Sequence, residues 1–298
     1  MLERRLAAAV EEALDDHVES MADVSGGDVS SSHRVALASG RFVFAKIHGD
    51  PPPHFFETEA DGLRWMRDAL DDDGPVQVPA VLAVGADHLV LEWIEEGSAR
   101  TRFAVSEADL GRGLAVLHRG GAEVFGRLDG RTTGSRALPN EPVATWAEHY
   151  AANRLMPLAE RWQANASLPA AIAGRLAALA ERLDVLGVPD EPPARLHGDL
   201  WAGNRIIGRR LGGGLRHWLI DPAAHGGHRE FDLAMMRLFG GFDEPCFAAY
   251  DEVFPLTAGW EARVPLHQLA PLAVHAIKFG GGYVAATDLA LDHVDHLP

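Results

Sequence analysis

The chain has 298 residues, 47% hydrophobic and 23% charged, a globular composition with enough apolar sequence for one large domain or two lobes. Its 43 acidic against 27 basic side chains leave a formal net charge of −16 with no Lys/Arg-rich run; this excludes nucleic acid as an expected partner, tolerates a neutral or cationic substrate, and serves solubility equally well. A single cysteine, Cys246, excludes an internal disulfide and a Cys-built zinc site, while the absence of a membrane-length apolar window and of a signal-peptide pattern at the start makes the cytoplasm the expected compartment.

Leu2, Leu6, Val10, Leu14 and Val18 recur four apart, which predicts an amphipathic helix over the first twenty residues. A small-residue loop follows. Then come a strand from His33 to Ala38, a Ser39-Gly40 turn and a second strand ending near Lys46, on which Phe42, Phe44 and Lys46 share a face. A helix is expected from about Phe55 to Leu70, and "VPAVLAVG" and "HLVLEWIEE" read as buried strands. From Ser98 the pattern turns helical. Ser106 with Asp109, and Thr145 with Glu148, have capping-box spacing, and Pro157 should kink the helix of "TWAEHYAANRLMPLAERW". An Ala/Leu-rich helix of core residues stops at Gly187. Two short strands, "RIIG" and "RHWLI", flank Gly212-Gly213-Gly214, and the remainder is mostly helical. The expectation is a β-rich part at 1–91, a crossing at 92–97 and a larger helical part at 98–298, with a ligand cleft between them.

Glu59 falls on the inward stripe of Phe55, Leu63, Met66 and Leu70, where an unpaired carboxylate costs several kcal/mol of desolvation. Lys46 has the mirror problem, and the two solve it together. A strand lysine paired to a glutamate of the next helix is how protein kinases hold ATP phosphates. Further on, "RLHGDLWAGNRI" places Asp199 and Asn204 five apart on a short loop. That spacing suits a proton acceptor and a neutral oxygen ligand for Mg²⁺. Magnesium favours a second carboxylate near by, and Asp221, directly before Pro222, supplies it. Singly, each residue reads equally well as an exposed ion or a capped turn; the ordered set does not.

On these residues the chain resembles the fructosamine-3-kinase (ketosamine kinase) family, within a superfamily that also holds aminoglycoside and choline kinases. The resemblance rests on "HGDLWAGN", with its tryptophan after the leucine, and on "DPAAHGGHREFDLAMMRLFGGF". It is supported by "GGDVS", "FETEADGL", "LVLEWIE", "LGRGLAVLH", the "FG" at 125–126, "GS" and "LPN" between 134 and 140, and "LHQL" with "FGGGY". It spans essentially the whole chain.

The resemblance implies an α+β, two-lobed protein-kinase-like fold with a small β-rich N-lobe and a larger α-helical C-lobe. It implies transfer of the γ-phosphoryl of Mg-ATP to the 3-hydroxyl of a fructosamine or ribulosamine, free or protein-bound, after which the adduct decomposes and the amine is deglycated. Carried over, Lys46 binds the ATP phosphates, Glu59 orients it, Asp199 is the catalytic base, and Asn204 and Asp221 hold magnesium. Asp232 ties the catalytic loop to the helix beneath it, and His197 shapes that loop. The backbone of Glu92, Trp93 and Ile94 reads adenine.

No GxGxxG is present, so phosphate cover falls to Gly26, Gly27 and Ser30, Ser31 and Ser32. Trp201 is expected to stack on the sugar, a core tryptophan being the alternative. His225 and His228 are expected to line the substrate side of the cleft rather than bind metal, and His293 and His296 to be solvated. Some relatives carry a cysteine in the first loop; here Asp28 follows the glycines and Cys246 is distant, so no redox switch is expected there. The rivals are a kinase of another amino sugar or amino-alcohol, such as an aminoglycoside, and a catalytically silent nucleotide-binding protein. No membrane partner is expected, and a monomer is favoured.

Overall fold

The computed structural model describes residues 2–24, 30–98, 104–134, 137–165 and 168–297, without the side chains of 161–165. Gly26, Gly27, Asp28 and Ser135 lie outside the described residues. Helix α1 (Leu2–Leu14) leads into strands β1 (Val18–Asp23), β2 (Ser31–Leu37) and β3 (Phe42–Ile47). Then follow helix α2 (Phe55–Arg67) and strands β4 (Val76–Gln77), β5 (Val81–Val84), β6 (His88–Glu92) and β7 (Glu95–Glu96). The main sheet is antiparallel, in the order β1-β2-β3-β6-β5.

The first helix is shorter than its apolar repeat suggests. Asp15 takes a left-handed conformation (φ 49°), and Val18 begins β1, from which it still packs on the cluster of Leu6 and Val10. β1 is an edge strand with mostly outward, polar side chains, so no alternation announces it. On β3 the period of two sorts the residues sharply. Val43, Ala45 and Ile47 pack with α1, while Phe44 and Lys46 take the opposite face.

α2 ends at Arg67, three positions before the expected Leu70, which lies in the turn beyond. Its Phe56, Ala60, Leu63 and Met66 lie with Leu89 and Leu91 of β6 in one cluster, separate from the one beneath α1. They share a core with Leu110, Leu114, Leu117, Leu200, Leu219 and Leu233 of the helical part. The lobes therefore meet through α2, and one continuous core runs beneath the crossing. Arg131 pairs with Asp61 of this helix at 3.0 Å, and Arg195 donates to the Trp65 carbonyl. Gly62 makes the docking possible, since a Cβ there would lie 3.0 Å from the Ala224 Cβ. Gly62→Leu should push α2 off the 222–224 segment, costing about 1–3 kcal/mol of stability, which thermal unfolding checks.

The helical part contains α3 (Glu107–Arg119), α4 (Trp146–Tyr150), α5 (Met156–Asn165) and α6 (Ala170–Ala180). Strands β8 (Ala194–Leu196), β9 (Arg205–Arg209), β10 (Arg216–Leu219) and β11 (His225–Gly227) come next. Helices α7 (Glu230–Phe239), α8 (Glu244–Val253), α9 (Trp260–Phe279) and α10 (Gly282–Val294) end the chain. Thr145 and Glu148 form a complete capping box, whereas Ser106 accepts the Asp109 amide but the Asp109 carboxylate turns to Arg112. Before Pro157 the helix passes through a π-turn at Ala151–Leu155, a local rewinding that accommodates the missing N–H. α6 ends at Ala180, short of the predicted Gly187, and a 3₁₀ turn covers Leu183–Val185.

β9 and β10 form a hairpin around the triple glycine, in a sheet ordered β4-β10-β9-β7, and β11 pairs with β8. The crossing at 92–97 is thus itself part of a sheet, β7 pairing with β9 just beyond the loop that carries Asn204. Among the described residues no helix is long and apolar enough to cross a membrane.

Candidate active site

Lys46 is 6% exposed on β3, and its Nζ lies 2.8 Å from Glu59 Oε1 and 2.5 Å from Asp221 Oδ1. Burial pulls the lysine down, but the two carboxylates overcome it and hold the ammonium above its ordinary range. Burial pushes Glu59 up against the pull of Lys46, with the Asp221 charge adding to the rise. The three elements meet because α2 packs on the 222–224 segment, directly after Asp221. Asp221 has a left-handed backbone (φ 54°), a strained conformation for a non-glycine residue, at the end of the β9–β10 hairpin.

The loop between β8 and β9 is held from below by Asp232 in the first turn of α7. The fully buried Asp232 carboxylate accepts the His197 amide at 2.7 Å and the Gly198 amide at 2.9 Å. Nε2 of His118 lies 3.2 Å from it, and the Tyr250 hydroxyl contacts Nδ1 of His118 at 2.8 Å. Burial drives Asp232 up, and the hydrogen bonds from His118 and the Gly198 amide overcome it, so the carboxyl lies below its usual range. His197 is buried; its Nδ1 accepts the Asp199 amide at 3.2 Å, and its Nε2 donates to the Ile220 carbonyl at 2.9 Å. Burial lowers its pKa, so it is a neutral brace between the loop and the strand leading to Asp221. Gly198 has φ 80°, and a Cβ there would meet the Ala223 carbonyl oxygen at 2.2 Å, so only glycine fits between histidine and aspartate.

This bracing presents Asp199 at the cleft. Asn204 Nδ2 donates to the Asp199 carbonyl at 2.8 Å and to Asp199 Oδ2 at 3.1 Å. Burial raises the Asp199 pKa to about 6, the Asn204 hydrogen bond opposes it, and the Asp221 and Asp232 charges reinforce it. A carboxylate at that value is ionised at neutral pH yet basic enough to take a proton. The metal-ligand donors here are oxygens: the Asp221 carboxylate and Asn204 Oδ1, left as an acceptor by the two Nδ2 bonds. That set fits a hard divalent cation such as Mg²⁺.

Ser32 is buried on β2 directly opposite Lys46, with Ser31 opposite Ile47 and Ser30 in the bend before them. Ile94 is buried, and the Glu92 amide is already bonded to the Ala80 carbonyl at 2.9 Å. That bond leaves Glu92 without a free N–H for a base. Trp93 lies beneath the Arg34 guanidinium, 5.1 Å from the ring centre. Trp201 is 40% exposed, which removes the core alternative.

His225 and His228 do not line the cleft. β11 runs beneath the loop as the partner of β8, and its neighbourhood points into the helical core. His225 is 3% exposed and stacks on His149, and His228 is 2% exposed and stacks on His267. Burial pulls His225 down to about 3 and His228 to about 4. His228, Glu230 and His267 offer ligand atoms within 4.8 Å of one another, but Arg263 already holds both Glu230 oxygens, at 2.5 and 2.9 Å. His228 Nδ1 accepts the Glu230 amide at 3.3 Å, whereas His228 Nε2 and both ring nitrogens of His267 are buried without a hydrogen-bond partner.

His118, Tyr250 and Lys278 were not singled out from the sequence. The histidine ends "LGRGLAVLH" and the lysine precedes "FGGGY", two segments marked only as family pieces. The "FG" and "LPN" pieces touch each other: a Cβ at Gly126 would lie 2.7 Å from the Asn140 carbonyl. Cys246 is buried, its thiol pushed up to about 12 by that burial, and it takes no part in the cleft.

Residues 2–296 match the fructosamine kinase family model. A relative named probable ketoamine kinase from Enterococcus faecium is 33% identical over 281 residues, covering 91% of this chain and 93% of that one. The crystal structure of a candidate fructosamine-3-kinase from Thermobifida fusca superposes with a TM-score of 0.85 at 36% identity, covering 97% of this chain and 98% of the other. An ADP-bound aminoglycoside phosphotransferase superposes with a TM-score of 0.61 at 12% identity, covering 98% of each chain, and shares the fold alone. The architecture is therefore the two-lobed, protein-kinase-like one, and the chain belongs to the fructosamine kinase family of phosphotransferases.

Proposed function

We propose that the protein transfers the γ-phosphoryl group of ATP, with Mg²⁺, to a sugar hydroxyl of a ketosamine, a fructosamine or ribulosamine. The observation that carries this reading is Trp201. It lies two residues from the proposed base, half exposed, on a loop whose every other element is braced. A Cβ at Gly203 would lie 2.2 Å from the indole, so the ring folds tightly over its own loop, and its outer edge meets Phe239. Such a fixed indole suits the apolar C–H face of a sugar.

In the reaction the substrate hydroxyl oxygen bonds to the γ-phosphorus, the bond to the β–γ bridging oxygen breaks, and ADP leaves. Asp199 takes the hydroxyl proton. Lys46, held by Glu59, neutralises charge on the phosphates, so most of the acceleration is positioning and electrostatics. Asp221 and Asn204 would hold the magnesium, which when bound supplies further charge neutralisation. A phosphate at C3 is a leaving group for the enaminol tautomer of the adduct, so amine release follows without a further catalytic group.

A labelled-ATP assay tests this with fructoselysine, ribuloselysine and kanamycin. The ketosamines should be phosphorylated with a kcat/KM about tenfold or more above kanamycin. Preference for kanamycin would assign the chain to the amino-sugar kinases instead. ATP binding without turnover of any acceptor would make it a silent nucleotide-binding protein.

A further inference from the structure

We infer that an aromatic wall beside the catalytic loop is the subsite for the amine half of the ketosamine, and that it makes the enzyme select adducts of aromatic or bulky apolar amines over small ones. The inference rests on the reading that the sugar lies on Trp201 with a hydroxyl at Asp199.

Three elements distant in sequence build the wall. Trp201 of the catalytic loop meets Phe239, at the end of α7, edge to face at 6.3 Å. Phe239 lies 5.0 Å from His275 on α9, and His275 lies 5.1 Å from Tyr283 in the first turn of α10 and 5.7 Å from Phe279. Gly280 and Gly281 both have positive φ, which turns the chain sharply between the helices and returns Tyr283 onto His275. His275 is locked by its Nδ1 donating to the Pro271 carbonyl at 2.8 Å. The wall is preorganised, so a ligand pays little to order it.

Its outer members are exposed where apolar side chains are normally covered. Trp201 is 40%, Phe239 39% and Phe279 57% exposed, and they belong to one contiguous aromatic cluster. The other exposed large hydrophobics, such as Leu128 and Leu211, lie singly on surface turns and need no partner. The aromatic cluster joins the candidate active site through Trp201 of the catalytic loop, and the Lys278 ammonium lies 5.0 Å from the Phe279 ring at its far end.

Geometry then names the occupant. In the proposed reaction Lys46 and Asp221 serve the phosphates, and the acceptor extends from Asp199 to Trp201, two residues further along the same loop. In a ketosamine the amine is borne on C1, two carbons from the C3 hydroxyl. Its substituent leaves the sugar within a few bonds of Trp201, where the wall begins.

The test compares N-benzyl fructosamine with fructosylglycine, using the full chain, ATP and Mg²⁺. The wild-type kcat/KM should favour the benzyl adduct by about three- to tenfold, the range of one aromatic contact. Phe279→Ala should bring that ratio close to one, mainly by raising the KM for the benzyl adduct, and Phe279→Trp should restore it. A wild type without preference, a ratio unmoved in Phe279→Ala, or an equal loss on both substrates would each overturn the wall as a selectivity subsite. These outcomes leave ketosamine phosphorylation standing. No turnover of either adduct would instead remove the functional reading, and the wall with it.

Discussion

Asp199→Asn lowers kcat by about 10²- to 10⁴-fold and leaves ATP affinity nearly unchanged. Asparagine has the shape of the side chain and can still accept the Asn204 amide through its oxygen, so the loop keeps its form. What it cannot do is take the proton from the attacking hydroxyl. The nucleotide-side charges, Lys46 with Glu59 and Asp221, are untouched, so binding of ATP should survive.

The pH dependence carries the same assignment. Burial holds Asp199 at about 6, and a base must be unprotonated to act. Activity is therefore present above that value and falls about tenfold per pH unit below it. A cation held by Asp221 and Asn204 would draw the limb lower, because it favours the charged carboxylate. Single-turnover rates and an ATP binding isotherm for both proteins settle the matter. Residual activity within tenfold of wild type, or an acid limb that persists in the variant, would take Asp199 out of the base role.

Asp232→Asn should be the most destabilising isosteric change in the molecule. The carboxylate accepts two backbone N–H groups and faces Nε2 of His118 in a fully buried site. Asparagine offers one acceptor oxygen and turns an NH₂ toward a donor. Leaving a buried charged-group network unsatisfied costs about 3 kcal/mol or more, which for a chain of this size lowers the melting temperature by roughly 6–12 °C. The sign with pH follows from the depressed carboxyl. Its folded pKa lies below the unfolded value, so its contribution is whole at neutral pH. It is lost as pH falls through the acid range below about 4. The gap between wild type and variant should narrow there. Melting temperatures that differ by less than about 2 °C at neutral pH would show that Asp232 does not brace the loop.

Much of the candidate site was legible because its parts create problems that a sequence displays. Lys46 and Glu59 each fall on an inward face where a lone charge is costly, and the structure joins them at 2.8 Å. Asp199, Asn204 and Asp221 are close in the chain, and the glycine before Asp199 is forced by a carbonyl that no Cβ could pass. Trp201 was legible as a residue but not as part of a surface, since Phe239, His275, Phe279 and Tyr283 come from other helices.

His225 and His228 misled for the opposite reason. Polar residues among glycines look solvent-facing, and only the pairing of β11 with β8 shows that they are inside. β1 was missed because an edge strand needs no apolar alternation. By itself the sequence determined the division into a β-rich and a helical part and the local unit of loop, hairpin and carboxylate, because periodicity and short-range spacing act over a few residues, and its motifs carried the resemblance to the family. Only the tertiary structure decided that α2 joins the main sheet to the core of the helical lobe, that Asp232 braces the loop through His197 and Gly198, and that an aromatic wall flanks the candidate base. Those facts depend on which distant side chains share a low-dielectric interior, and chain spacing carries no record of that.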